Sequence, residues 1–163
     1  MTSKTDYFEP DPTWKSLGYS SLQSYLNRFL IKGAFHDKVP EDIINAYTTI
    51  EYLMAHSYYH YLMYDEALHK MLLTMEMAIK LKAVSSGLEL TREVKGRMKD
   101  KSAYQLLEEL NLRNTNPELF ERIVLLKEVR NDKMHPKAHQ FVGGMSVNIF
   151  PACIEYINIL FDS

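Results

Sequence analysis

Residues 41–86 read EDIINAYTTIEYLMAHSYYHYLMYDEALHKMLLTMEMAIKLKAVSS, 46 residues without a glycine or a proline. A single helix of that length is unusual in a small domain, so the run divides into two. The break belongs near Tyr61–Asp65, where Asp65 is placed to cap a second helix. Pro40 followed by Glu41 and Asp42 marks the start of the first helix, its acids complementing the helix dipole. Gly87 stops the second. Between them Ala67, Leu68, Met71, Leu72, Met75, Ile79 and Leu81 recur at helical spacing and form a buried stripe.

The flanking segments extend this frame in both directions. Met1 to about Leu17 holds Pro10 and Pro12 but few periodic apolar residues, and reads as a loose arm. Tyr19–Ile31 carries Leu22, Tyr25, Leu26, Phe29 and Leu30 at helical spacing and predicts a short amphipathic helix. Residues 1–40 thus form an arm and a short helix ahead of a helical domain over 41–163. Beyond Gly87, the polar and basic stretch Thr91–Lys101 reads as a loop. Helices follow at about Ser102–Leu112 and Pro117–Met134, the latter with proline in its first turn. Val147–Phe161 is the last helix. The strand signal is confined to Gln140–Phe150, where Gly143-Gly144 is suited to turn a small hairpin. The expectation is an all-α bundle of about five to six helices, with at most that one hairpin.

With 163 residues, 46% of them hydrophobic, the chain can bury a core without disulfides or a structural metal. A lone Cys153 excludes an internal disulfide and fits a reducing cytosol. No apolar run approaches about 18 residues, and no cationic-then-apolar leader is present, so a cytoplasmic protein without a membrane span is expected. The net charge of −2 argues against a constitutive nucleic-acid coat. Yet the charge is uneven. Residues 1–79 carry 6 Lys or Arg against 10 Asp or Glu, whereas residues 80–140 carry 13 against 9. That basic segment suits a local phosphate track, although an ordinary solvated surface explains it equally well.

Within the basic segment lies Arg130-Asn131-Asp132-Lys133-Met134-His135, at the end of an apolar helical stretch and just before Pro136. An always-charged guanidinium and a titratable imidazole in one short turn suit phosphodiester chemistry. On an unbroken helix residues i and i+4 lie about 40° apart, and i and i+5 about 140° apart. Asn131 and His135 would then share a face while Arg130 diverged. Pro136 disfavours helical dihedrals at His135, so the helix should end there. His135 then sits at the negative helix end, which favours the imidazolium. The bland reading is that Arg130 pairs with an acid and His135 merely caps the helix.

The Arg-x4-His spacing, with the polar Asn131 after the arginine, resembles the signature of the HEPN superfamily. Two more segments share the likeness. Met75-Glu76-Met77-Ala78-Ile79-Lys80 resembles the Glu-x-x-x-Lys segment of the family's second helix, and Ser102-Ala103-Tyr104-Gln105-Leu106-Leu107 its small-residue-led third. The resemblance spans roughly residues 40–160. It implies a metal-independent endoribonuclease without cofactor, acting as a homodimer whose motif helices meet across a cleft. Arg130 would hold the nonbridging phosphate oxygens, His135 would transfer protons, and Asn131 would orient either group. Products would carry 2′,3′-cyclic phosphate and 5′-OH ends. A toxin–antitoxin or antiphage defence setting, with a cognate antitoxin or defence partner, is also implied. Glu76 is the supporting residue the resemblance places at the cleft, although an exposed Glu76–Lys80 pair accounts for it too. Lys127, Lys133 and Lys137 are candidate RNA contacts. The family also contains inactive nucleotide-binding or protein-interaction modules, and the His-x-Tyr extension of one toxin subgroup is missing here, since Pro136 and Lys137 follow His135.

Other constellations are weaker. His56 and His60 have a zinc-compatible spacing but no evident third ligand. The five tyrosines between Tyr52 and Tyr64 suggest a packed or dimer-forming face. Asp65 and His69 read as a surface pair. No Gly-rich phosphate loop, nucleophile elbow or zinc-knuckle spacing occurs.

Overall fold

The computed structural model describes residues 7–134 and 143–162, with side chains described as far as Val129 in the first stretch. Among these residues the protein is all-α apart from one two-stranded ribbon. Its α-helices are α1 Pro12–Ser16, α2 Leu22–Phe29, α3 Glu41–His56, α4 Met63–Ser85, α5 Ala103–Glu109, α6 Leu112–Thr115, α7 Pro117–Met134 and α8 Ile149–Asp162. Strands β1 Thr91–Val94 and β2 Arg97–Asp100 stand between α4 and α5, and a 3-10 turn, Gly143–Asn148, leads into α8.

The centre of the bundle is α4, which packs against α3, α5, α7 and α8. Its stripe Ala67, Leu68, Met71, Leu72, Met75 and Ile79 is buried, as its spacing predicts, while Leu81 is only partly covered. The break from α3 falls at 57–62. Asp65 is not the cap: the helix is entered from Leu62, already in helical conformation. Successive turns, Met63 N–H to His60 O and Tyr64 N–H to Tyr61 O, engage the first amide donors. Asp65 instead lies buried in the first turn and accepts from the Gly143 N–H at 3.1 Å. The expected position of Asp65 on the surface beside His69 is therefore corrected to a buried one.

Pro10–Leu17 is not a loose arm. Asp11 caps α1 by accepting from Thr13 N, and its second oxygen accepts from Tyr61 N at 2.8 Å. The Asp11 N–H donates to Tyr58 O, and Trp14 Nε1 donates to Ser57 O at 2.6 Å. The backbone of the α3–α4 connection thus finds its partners in the N-terminal segment, because polar groups withdrawn from water must be paired. The Trp14 ring, fully buried, meets Tyr25, Phe29 and Tyr61 at centroid distances of 4.6, 4.8 and 4.8 Å. Trp14, Tyr25 and Phe29 belong to the same buried cluster as α3, α4 and α8.

The ribbon is likewise a correction. Thr91–Lys101 is a hairpin rather than a loop, while residues 143–150 are a 3-10 turn and the start of α8 rather than a hairpin. The Gly143-Gly144 pair serves clearance instead. Gly143 has φ +49 and a Cβ there would fall 2.2 Å from Tyr61 Cζ; at Gly144 it would fall 2.8 Å from Phe29 Cε1. The helix starts expected at Ser102 and Pro117 are found, although the first helix ends at Glu109 and a separate turn of helix begins at Leu112, after Asn111 in left-handed conformation. Ser102 forms a reciprocal capping box with Gln105 at the start of α5, and α7 begins at Pro117. Gly143–Asp162 has the length and hydropathy of a membrane-crossing segment. In the fold, however, Phe150, Cys153, Ile157 and Leu160 of α8 are buried in the protein core.

Candidate functional site

The last turns of α7 hold residues 130–134 of the sequence motif. Ile123, Leu126 and Lys127 of α7 face Leu72, Met75, Glu76 and Ile79 of α4 and Ala103 and Leu107 of α5 across a narrow cleft. With 3.6 residues per turn, position 130 lies about 20° from the line of Ile123, and position 131 about 40° from that of Lys127. The backbone of α7 remains helical through Met134. Arg130 and Asn131 therefore occupy Cα positions one turn beyond Lys127 on the side of α7 that borders the cleft. Positions 131 and 133 lie about 80° to either side of Ile123, the first about 40° from the line of Lys127 and the second about 20° from that of Leu126, so both flank position 130 on the cleft side. His135 and Lys137 lie outside the described residues.

Glu76 and Lys127, two of the residues singled out from sequence, line the same cleft. Glu76 also pairs with Lys80 at 3.0 Å, so the bland reading of this residue has a structural counterpart. The Lys127 ammonium stands 5.4 Å from the centroid of the Tyr104 ring. Such cation–π contact orients the long side chain while leaving its charge available to an anion. Sequence reading missed Tyr104 in this role. It also missed Arg113, which lies 4.5 Å from the Phe120 ring and donates to Glu108 at 2.9 Å through Nε. The signal was available, since Tyr104 and Arg113 flank the short α5–α6 connection.

The cleft has room for only about 30 Å³, roughly one water molecule. Its walls are apolar except for Glu76 and Lys127. Among the described residues the cleft is too narrow to admit a nucleotide.

The other candidates separate. His56 ends α3 and His60 lies beyond it, so no helix holds the two imidazoles together. His56 stacks near Tyr52 at 6.3 Å, and His60 Nδ1 approaches Asp11 Oδ2 at 4.0 Å. Among the described residues no three His, Cys, Asp or Glu side chains converge as a metal-ligand group. Of the five tyrosines, Tyr58 and Tyr64 are buried and Tyr59 and Tyr61 partly so, leaving only Tyr52 largely exposed. They mainly serve packing. Burial pushes the Cys153 thiol up to about 12, which makes it a core group rather than a nucleophile. Comparison with known proteins found no matching family model, no matching curated protein and no matching solved structure.

Proposed function

We propose that the chain is a metal-independent endoribonuclease of HEPN type, built on Arg130, Asn131 and His135. The observation that carries this reading is the continuation of α7: the motif's first two positions extend the side of the helix that already presents Lys127 to a cleft bordered by Glu76. An arginine there can grip the nonbridging oxygens of a phosphodiester and stabilise charge as it develops. His135 comes next in the sequence after Met134, the last described residue of α7, and a helix ending there would favour its protonated form.

In the reaction, the ribose 2′-oxygen forms a bond to phosphorus and the bond to the 5′-oxygen breaks. One imidazole accepts the 2′-OH proton; another delivers a proton to the departing 5′-oxygen. A single chain supplies one such imidazole at the motif, so two copies related by twofold symmetry furnish both. An apolar pair on α7 fits that assembly. Leu125 is 60% exposed and Val129 36% exposed, at i and i+4 beside the motif, and a second copy would cover them. A toxin or defence role, with a dedicated partner protein, follows from the family likeness alone.

The test is incubation of the purified chain with labelled single-stranded RNA in EDTA, followed by analysis of the product ends. Cleavage leaving 2′,3′-cyclic phosphate and 5′-OH termini is expected. Cleavage only on addition of a divalent metal, or products with 3′-OH ends, contradicts the assignment. RNA binding without turnover would leave an inactive binding module of the same fold.

A further inference from the structure

We infer that the β1–β2 ribbon is a binding arm for the phosphate backbone of single-stranded RNA. The inference rests on the ribonuclease reading for its choice of RNA among polyanions, but its geometry is independent of the motif. The strands pair antiparallel with Arg92 opposite Lys99 and Val94 opposite Arg97, while Thr91 faces Asp100 and Glu93 faces Met98. Directly opposed residues share a face and successive residues alternate. One face therefore carries Arg92, Arg97 and Lys99 around Val94. The ribbon's two acids, Glu93 and Asp100, fall on the other. Lys95 adds a fourth cation at the tip, in a two-residue turn where it and Gly96 have φ 51 and 73.

Charge segregation of this kind opposes folding. Arg92 and Lys99 are like charges directly across the ladder, an arrangement that weakens strand pairing. A two-stranded ribbon is marginal to begin with. Arg92, Lys95, Arg97 and Lys99 are all exposed, and among the described residues none of them makes an ion pair. Elsewhere Lys32, Lys38, Lys80, Lys101, Arg113 and Arg122 each pair with an acid. A phosphate bridging Arg92 and Lys99 converts the repulsion into two attractions.

Position favours a single strand of RNA over a flat anionic surface. The ribbon closes at its base through the Lys101 N–H to Leu90 O at 2.8 Å. Two residues later Ala103 lines the cleft beside Lys127. The base of the cationic ribbon is thus joined directly to a wall of the cleft that Lys127 borders. A membrane would instead confront much of a molecule whose net charge is −2.

Binding is measured by anisotropy of a labelled poly(U) oligonucleotide across a salt series, with His135→Ala in every chain to prevent turnover. The triple change Arg92→Gln, Arg97→Gln, Lys99→Gln should lower affinity about tenfold or more at low salt. It should also flatten the slope of log K against log salt by about 2, near 0.7 for each lost phosphate contact. Lys15→Gln, Lys32→Gln, Lys38→Gln removes the same charge away from the ribbon and should leave the slope unchanged. Arg92→Glu alone replaces the repulsive cross-strand pair by an attractive one, so it should retain or raise the melting temperature while still weakening RNA binding. Equal losses in both triple variants, or no loss in the ribbon variant, overturns the proposal. So does ribbon-dependent sedimentation with phosphatidylserine vesicles in a chain that does not bind RNA. Ribbon-dependent binding by a wild-type chain that never cleaves sinks the ribonuclease reading and leaves the arm; cleavage with an unchanged slope does the reverse.

Discussion

Trp14 and Asp11 show how single residues tie the N-terminal segment to the bundle. Trp14 is completely buried among aromatic rings, and its indole N–H has a backbone acceptor. Trp14→Ala should cost about 3–5 kcal/mol, read as a lower urea midpoint. Burial works to raise the Asp11 carboxyl pKa, but hydrogen bonds from Tyr61 and Thr13 and the nearby His60 bring it below the usual value. A depressed folded-state pKa means stability that is present above the unfolded carboxyl's pKa, about 3.9, and lost as pH falls through the folded value. Wild type should therefore be more stable than Asp11→Asn near neutrality. Melting curves should show that advantage shrinking toward zero as the solution is acidified below about pH 4. Neither residue declared its role in sequence. An isolated tryptophan just after two prolines has no periodicity, and the Tyr61 partner of Asp11 lies 50 positions away.

At the scale of elements, punctuation was the dependable guide. Pro40 and Pro117 each mark a helix start found in the fold. The ribbon escaped because period-two alternation is recognised by apolar residues on one face, and here the alternation sorts charges instead. Gly143-Gly144 misled in the opposite sense. Its value is the absence of side chains beside Tyr61 and Phe29, a requirement visible only once α1, α2 and the 3-10 turn are together. Gly143→Ala combines a left-handed φ with a clash against Tyr61 and should cost about 2 kcal/mol or more, lowering the melting temperature by about 4–8 °C. An unchanged melting temperature would show that the turn is not packed as described.

For the whole molecule, the bundle was legible because the 41–86 run fixes two long helices against which the others fold. The candidate site was legible only in part. Arg130, Asn131 and His135 stand out by residue type and spacing, whereas the cleft's apolar wall on α4 looks in sequence like any core stripe. The proposed catalysis by two imidazoles requires twofold assembly. Light scattering at tens of micromolar should return twice 19.1 kDa, and the monomer mass would count against shared catalysis. Arg130→Ala should weaken both RNA binding and cleavage, because the proposed role has its guanidinium on the phosphate before and during reaction. The most direct measurement is the cleavage rate of labelled RNA in EDTA by wild type and by His135→Ala, each shown to be folded by circular dichroism. The account predicts a fall of about 100-fold or more on losing the proton-transfer group, with RNA affinity changed far less. Wild-type cleavage by a folded His135→Ala chain would contradict it.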